Sequence, residues 1–260
     1  MAKVGEIRDY LFSIAPKELA MDFDNVGLLV GSAETEVSSA LFALDITSQV
    51  IDEAAAVGAQ LIVSHHPVIW DAMKSVTGGD VQQRKVIKLI QNGLSAICMH
   101  TNLDISMGGV NDVLMECLGG KATGILEPTG GGAGCGRVGE LERETPLGDF
   151  LASCKTALDA DGLRYWDAGR PVYRLAVMGG AGGDCAALAD ELGCDTYVTA
   201  DVKYDQFLTA RELGINLIDA GHFCTENVVV PRLEQWVAVR FPEIETRISA
   251  LHDQTDRFYK

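Results

Sequence analysis

The stretch VIDEAAAVGAQLIVSHHP (residues 50–67) carries the pattern that decides the fold. An amphipathic helical segment leads to Gly58, and a short, continuous apolar run follows before the chain turns polar. Glycine suits the end of a helix, where the backbone adopts a left-handed conformation that other residues avoid. A short apolar run bounded in this way is typical of a strand buried on both faces. The stretch therefore predicts a helix, a glycine turn and a buried β-strand.

The same unit occurs three more times. The further copies are VIKLIQNGLSAICMHTNLD (86–104), LADELGCDTYVTADVKY (188–204) and TARELGINLIDAGHFCTE (209–226). Helices and strands in repeated alternation predict an α/β fold with mostly parallel sheets. Because such folds bind ligands beyond the carboxyl ends of their strands, we expect functional side chains just after each apolar run.

The middle of the chain marks a division into two lobes. Residues 119–139 are rich in glycine and indicate a loop or a domain junction. After them, residues 170–184 predict a strand that enters a glycine-rich turn. We therefore predict a first α/β lobe over residues 1–125 and a second over residues 126–225. A C-terminal helix and tail, residues 226–260, are expected to pack back on the first lobe.

Composition excludes several classes of protein. The 260 residues carry a formal net charge of −16, with no run of Lys or Arg, so nucleic acid and acidic membrane surfaces are not expected partners. No apolar run approaches the roughly 20 residues that span a bilayer, and no secretion signal is recognised, so we expect a cytoplasmic protein. Seven cysteines without a Cys-x-x-Cys pair predict buried thiols rather than a disulfide framework or a thiolate zinc site.

Histidines and carboxylates follow the repeat. The positions seven and eight residues after the four glycines hold His65 and His66, His100 and Thr101, Ala200 and Asp201, and Gly221 and His222. A lone histidine is more often a hydrogen-bonded core residue, and a lone aspartate at a strand end commonly caps a helix. Several such donors at predicted strand ends instead favour a site for zinc, iron(II) or manganese. The candidate ligands are His65, His66, Asp104, His222 and Glu226.

Seven short motifs, in order along nearly the whole chain, carry a resemblance to a known family. They are DFDNVGLLVG (22–31), SHHP (64–67), HTNLD (100–104), GRVGEL (136–141), GGAGG (179–183), TADVKY (199–204) and GHFCTE (221–226). Together they resemble the signatures of the NIF-three-like family, whose members are often labelled GTP cyclohydrolase 1 type 2 homologues. One departure is Asp205, where relatives often place a histidine.

The resemblance implies a dinuclear centre of two divalent ions, with ligands that match the five candidates above. It also implies two α/β lobes of related topology, with the metal site in the cleft between them. Members similar to this chain assemble as toroidal homohexamers, arranged as a trimer of dimers. Residues 125–180 are too few for the inserted domain of longer relatives, so the compact form is expected.

Three residues are candidates for catalytic roles: Glu226, His100 and Asp45. His100 lies in a ligand slot of the repeat but matches no family ligand, so we interpret it as a residue behind the ligands or a proton relay. Asp45 follows an apolar run and is a candidate orienting residue or base. Asp24 and Asn25 are interpreted as turn residues. The glycine-rich segments 131–136 and 179–183 can cradle a phosphate, but turns are favoured because the Lys and Ser/Thr of phosphate loops are missing.

These features support two functional hypotheses. The first is a metal-dependent hydrolase acting on a nucleotide-like substrate, which the family label gives as GTP; other nucleotides or phosphoesters fit the donor set equally well. The alternative is a metal-binding adaptor or metal-handling protein without turnover.

Overall fold

The computed structural model describes residues 2–259. Two compact units make up the chain. The first runs to Ser106 and adds Val230–Asp253, and the second comprises Met107–Val229 and the segment from Gln254 onward. A division at residue 125 would cut the strand Gly120–Gly130, which pairs along its length within the second unit. The C-terminal segment is divided as well, because its helix belongs to the first unit and its last residues to the second.

Helices and strands alternate through most of the described residues. The α-helices are α1 (Val4–Ile14), α2 (Ser48–Ala56), α3 (Val81–Gln91), α4 (Thr101–Ile105), α5 (Val110–Cys117), α6 (Leu147–Ala157), α7 (Ala186–Glu191), α8 (Tyr204–Leu213), α9 (His222–Glu226) and α10 (Val230–Arg240). The strands are β1 (Ala2–Lys3), β2 (Gly27–Val30), β3 (Glu36–Val37), β4 (Ser39–Ala43), β5 (Leu61–Ser64), β6 (Ser95–Cys98), β7 (Gly120–Gly130), β8 (Ala133–Thr145), β9 (Arg164–Trp166), β10 (Val172–Ala181), β11 (Thr196–Ala200), β12 (Asn216–Asp219) and β13 (Glu245–Ile248). Short 3-10 turns cover Lys17–Leu19, Gly183–Cys185 and Asn227–Val229.

The first unit contains a five-stranded sheet in the order β13-β4-β5-β6-β2. Its first four strands run parallel, and only β2 is antiparallel to its neighbour. Helices α2 and α3 each lead through a glycine with positive φ, Gly58 at 72° and Gly93 at 66°, into β5 and β6. A side chain caps the amino end of each helix: Thr47 accepts from the Val50 amide, and Asp80 accepts from the Gln83 amide. The predicted helix, glycine and buried strand are confirmed here.

The second unit contains a six-stranded sheet in the order β7-β8-β10-β11-β12-β9. Only the central strands β10, β11 and β12 pair in parallel, and the three outer pairings are antiparallel. The α/β class is confirmed, but this sheet is mixed rather than mostly parallel. Two of the three antiparallel pairings come from the hairpin β7–β8, which residues 119–139 form in large part instead of a loop, and the third comes from the edge strand β9. Three consecutive glycines, Gly130–Gly132, have positive φ and make the turn of the hairpin.

Cysteine burial follows the expectation with exceptions. No disulfide links any of the seven cysteines; five are buried, Cys185 is half-buried and Cys117 is exposed. Burial raises the pKa of the Cys154 thiol to about 12, so this group stays protonated at neutral pH.

The helices of residues 2–259 are too short or too polar for any of them to cross a membrane.

Candidate metal centre

The carboxyl ends of β5 and β6 carry the donors of the first unit. Strand β5 ends at Ser64, directly before His65 and His66, and β6 ends at Cys98, two residues before His100. The two strands are parallel neighbours, with Ser64 opposite Cys98. The three histidines therefore emerge side by side at the sheet edge where α/β folds bind ligands.

The three histidines form a compact group. Their ring centroids are 5.0 Å apart for His65 and His66, 5.1 Å for His65 and His100, and 5.5 Å for His66 and His100. One nitrogen of each ring lies within 4.8 Å of the others, which is close enough for the group to hold a metal ion. Asp104, in helix α4, places its Oδ1 atom 3.6 Å from Nε2 of His65. Imidazole nitrogens with a carboxylate suit a borderline divalent ion.

Each of these rings is oriented through its Nδ1 atom. An oxygen acceptor lies 2.8 Å away in all three cases: the Met99 carbonyl for His65, Asp45 for His66 and Asp24 for His100. A carbonyl or an ionised carboxylate only accepts hydrogen bonds, so Nδ1 carries the proton. The lone pair is then on Nε2, the atom that a metal takes in such carboxylate–histidine arrangements.

Asp24 has a larger role than that of a turn residue. It accepts from the Asn25 amide at 2.7 Å, and also from the Thr101 amide at 2.9 Å and from His100. Burial opposes the charge of Asp24, but the hydrogen bonds from His100 and Thr101 outweigh burial and lower its pKa to about 2. Asp24 therefore stays ionised and fixes the His100 ring.

Replacing Asp24 by Asn should destabilise the protein by about 1–2 kcal/mol at neutral pH. The pKa of about 2 in the folded protein lies below the ordinary aspartate value of 3.8, so the carboxylate stabilises the fold above pH 4 and this stabilisation is lost as the pH falls towards 2. Urea unfolding at several pH values measures the effect, with exposed Asp22→Asn as the control. A gap between wild type and Asp24→Asn that stays constant from pH 7 to pH 2 would contradict this prediction.

The second unit presents His222 and Glu226 on one face of the short helix α9. The two residues are four apart, and Nε2 of His222 lies 3.0 Å from Oε2 of Glu226. Nδ1 of His222 lies 2.7 Å from Oδ2 of Asp201, so this ring is oriented like the other three. Burial lowers the pKa of His222, but hydrogen bonds and charges of Glu226 and Asp201 raise it to about 9. The pair has the donor chemistry of a divalent-ion site.

Asp201 is a residue whose role the sequence left open. It follows β11 with a φ of 52°, a left-handed conformation that only a few side chains adopt readily. Its position is the ligand slot of the third repeat copy, where the sequence offered no histidine. In the third copy this position therefore holds Asp201, the acceptor that orients His222 of the fourth copy.

The glycine-rich segment 179–183 serves as a close turn rather than a phosphate cradle. Its amides already donate within the second unit, Gly179 to Asn111, Gly180 to Thr225 and Gly182 to Thr199. A Cβ atom on Gly180 would lie 2.2 Å from Oε1 of Glu226, and the φ of Gly180 is 67°. The absence of a side chain therefore leaves room for Glu226.

Changing Gly180 to Ala should displace Glu226 and destabilise the second unit by about 1–2 kcal/mol, because the backbone conformation is strained for alanine. Thermal unfolding monitored by circular dichroism measures the loss. The control is Gly148→Ala in helix α6, where the added methyl group meets nothing within 4 Å. Equal melting temperatures for the two variants would contradict the prediction.

Each unit brings together part of the predicted site. The first unit brings His65, His66 and Asp104 together with His100 and Asp45. The second unit places His222 beside Glu226. His252 is half-buried, and its Nδ1 atom accepts from the Leu44 amide at 3.3 Å.

Comparison with known proteins identifies the family of this chain. The family model described as Duf34/NIF3 (NGG1p interacting factor 3) matches residues 2–256. A protein of Clostridium perfringens (strain 13 / Type A) named GTP cyclohydrolase 1 type 2 homolog is 36% identical over 241 residues, covering 92% of each chain. The protein NIF3 homolog of Schizosaccharomyces pombe is 31% identical, covering 85% of this chain and 84% of its own.

Solved structures show the same fold. The crystal structure of a Bacillus cereus protein related to NIF3 superposes with a TM-score of 0.91 at 26% sequence identity. The superposition covers 100% of this chain and 99% of that one. Since the family model matches nearly all of the sequence, the chain belongs to the Duf34/NIF3 family.

Proposed function

We propose that this protein is a metal-dependent hydrolase with a dinuclear centre. Its ligands are His65, His66, Asp104, His222 and Glu226. The observation that carries the proposal is the shared orientation of the histidines: an oxygen acceptor 2.7–2.8 Å from each Nδ1 keeps that nitrogen a donor, so Nε2 is the atom that a metal would take. A metal-binding histidine typically donates its other ring N–H to such an acceptor. A single buried histidine can have this contact for structural reasons alone, but here several clustered histidines share it.

The donor set fits zinc, iron or manganese, since imidazole and carboxylate groups suit borderline divalent ions. When bound, such ions would supply Lewis-acid chemistry, lowering the pKa of a water molecule and polarising a substrate oxygen. The chain's own groups would then manage orientation and protons. Asp45 holds the His66 ring, and the hydrogen bond to Asp24 keeps the His100 ring in one tautomer, so that its Nε2 can accept a proton. Glu226 would act as ligand and as a candidate base.

The proposed substrate is nucleotide-like. The name of the Clostridium perfringens relative, GTP cyclohydrolase 1 type 2 homolog, makes GTP the first compound to assay. We also propose a cytoplasmic location, as the sequence leads us to expect, and a toroidal homohexamer, a trimer of dimers, which the family resemblance implies. Light scattering coupled to gel filtration gives the assembly mass, and a monomer at working concentrations would contradict the hexamer.

The test compares wild type with His65→Ala/His66→Ala. Elemental analysis after purification without chelators should find about two ions per wild-type chain and a large loss in the variant. Both proteins are then assayed against GTP and a nucleotide panel. His252→Asn is the matched control, because it removes a half-buried histidine that is not among the five proposed ligands. If wild type turns over nothing that the double variant does not, the hydrolase proposal fails.

The alternative is a metal-binding adaptor without turnover. It is favoured by the family description, which names an interacting factor. In that case metal-loaded wild type should retain partner proteins that His65→Ala/His66→Ala loses, and neither protein should turn over a nucleotide.

A further inference from the structure

A pocket of about 250 Å³ opens beside His66 in the first unit. The loop after β5 and the first turns of α3 line it, and its side chains include Asp45, Trp70, Gln82 and Lys85. Its volume is slightly below the range of roughly 300–1,000 Å³ typical of small-ligand sites, so it suits one ring system with a substituent. Since His66 is a candidate metal ligand, an occupant of this pocket would lie next to the metal.

Trp70 is held in place by its backbone while its ring remains accessible. The Trp70 amide donates to Oε1 of Gln82 at 3.0 Å, and the preceding carbonyl of Ile69 accepts from Asn25 at 2.7 Å. Trp70 is nevertheless 49% exposed, although a residue with such a large apolar ring is normally buried for the most part. It stands edge to face with His100, with ring centroids 5.1 Å apart. An anchored, accessible indole beside a metal candidate is suited to stacking on a flat ring.

Lys85 supplies an uncommitted positive charge. It is half-buried in α3, one turn from Gln82, and within residues 2–259 it makes no hydrogen bond or ion pair. Two carboxylates line the same pocket, and each has a hydrogen-bond partner: Asp45 accepts from His66, and Asp80 caps α3 by accepting from the Gln83 amide. Lys85 is therefore the group of this wall that can pair with the anion of a bound molecule.

We propose that this pocket binds a planar heteroaromatic ring that carries an anionic group, with Trp70 stacking on the ring and Lys85 pairing with the anion. The inference rests on the proposed function, because it names the substrate class of the same site. Trp70 and Lys85 act as specificity-determining residues, and the candidate metal ligand His66 lies beside the ring that they hold. The arrangement selects for a ring and an anion together, so molecules with only one of them should bind weakly.

Binding is measured by calorimetry on chelator-treated protein, so that turnover does not interfere. The probes are guanosine 5′-monophosphate, guanosine and ribose 5-phosphate. Wild type should bind the nucleotide most tightly. Trp70→Ala should weaken the binding of the nucleotide and of guanosine about tenfold or more, whereas Trp70→Phe keeps an aromatic face and should stay within about threefold of wild type. Lys85→Gln should weaken the binding of the nucleotide about five- to twentyfold and leave the affinity for guanosine unchanged.

Lys155→Gln is the matched control, because it removes one exposed lysine from helix α6 of the second unit. Wild-type affinity in Trp70→Ala or in Lys85→Gln overturns the proposal, and so does a wild type that binds none of the probes. Metal content separates this failure from that of the proposed function. A wild type with intact metal content but no effect at Trp70 refutes only the pocket, whereas a wild type that binds no metal refutes the hydrolase.

Discussion

Arg137→Met should lower the free energy of unfolding of the second unit by about 3–5 kcal/mol, because it leaves a carboxylate in the interior without its ion pair. Arg137 is 1% exposed and meets Asp112 through two hydrogen bonds, of 2.9 Å from Nε and 2.7 Å from Nη2. Its Nη1 donates to the carbonyls of Gly134 and Gly136. Every part of the guanidinium is thus engaged, and the substitution removes all of these bonds at once.

Urea unfolding followed by circular dichroism gives the total loss. Hydrogen exchange of peptides from β8 and β10 shows whether it falls in the second unit. The matched control is Arg174→Met in the same sheet, whose ion pair with Glu140 is more than one-third exposed at both partners. This pair is worth at most about 1 kcal/mol because solvent screens it. Equal losses in the two variants would contradict the buried pair as the source of the effect.

The double variant Arg137→Met/Asp112→Leu separates a buried charge from lost packing. Removing both partners leaves no unpaired charge, so the loss should be clearly smaller than the sum of the two single losses. A purely additive result would mean that the ion pair contributes little beyond the volume of its side chains.

The repeat could be predicted because its signals are local. Gly58 and Gly93 have the left-handed backbone expected of them, and the apolar runs after them are the buried strands β5 and β6. The sheet edge that collects His65, His66 and His100 follows from parallel pairing alone. Metal-donor positions at strand ends can therefore be predicted from one sequence, because they depend only on the hydrophobic period and on the parallel direction of the strands.

The orienting contacts could not be predicted in the same way. Asp24 and His100 are 76 residues apart, and Asp45 and His66 are 21 apart, so no local pattern pairs them. The hairpin β7–β8 was missed for another reason. Its glycines, which weaken a strand locally, dominate the composition of residues 119–139, whereas long antiparallel pairing with β10 stabilises the hairpin. Tertiary pairing here overrides propensity.

Asp45→Asn should reduce the affinity for a divalent metal by about 10–100-fold while leaving the fold intact. Asp45 accepts the Nδ1 proton of His66 at 2.8 Å, which keeps the metal-binding lone pair on Nε2. An asparagine has nearly the same shape, but its amide group can donate to Nδ1 and stabilise the opposite tautomer, with the proton on Nε2. It also removes the negative charge that makes the imidazole a stronger donor.

A chelating dye that competes for zinc measures the affinity, and thermal unfolding without metal checks the fold. Asp52→Asn is the control, because it removes the same charge from the same unit at an exposed pair with Lys88. If Asp45→Asn and Asp52→Asn bind zinc equally well, Asp45 does not orient a metal ligand. A role of Asp45 as a base would then be tested by the pH dependence of turnover.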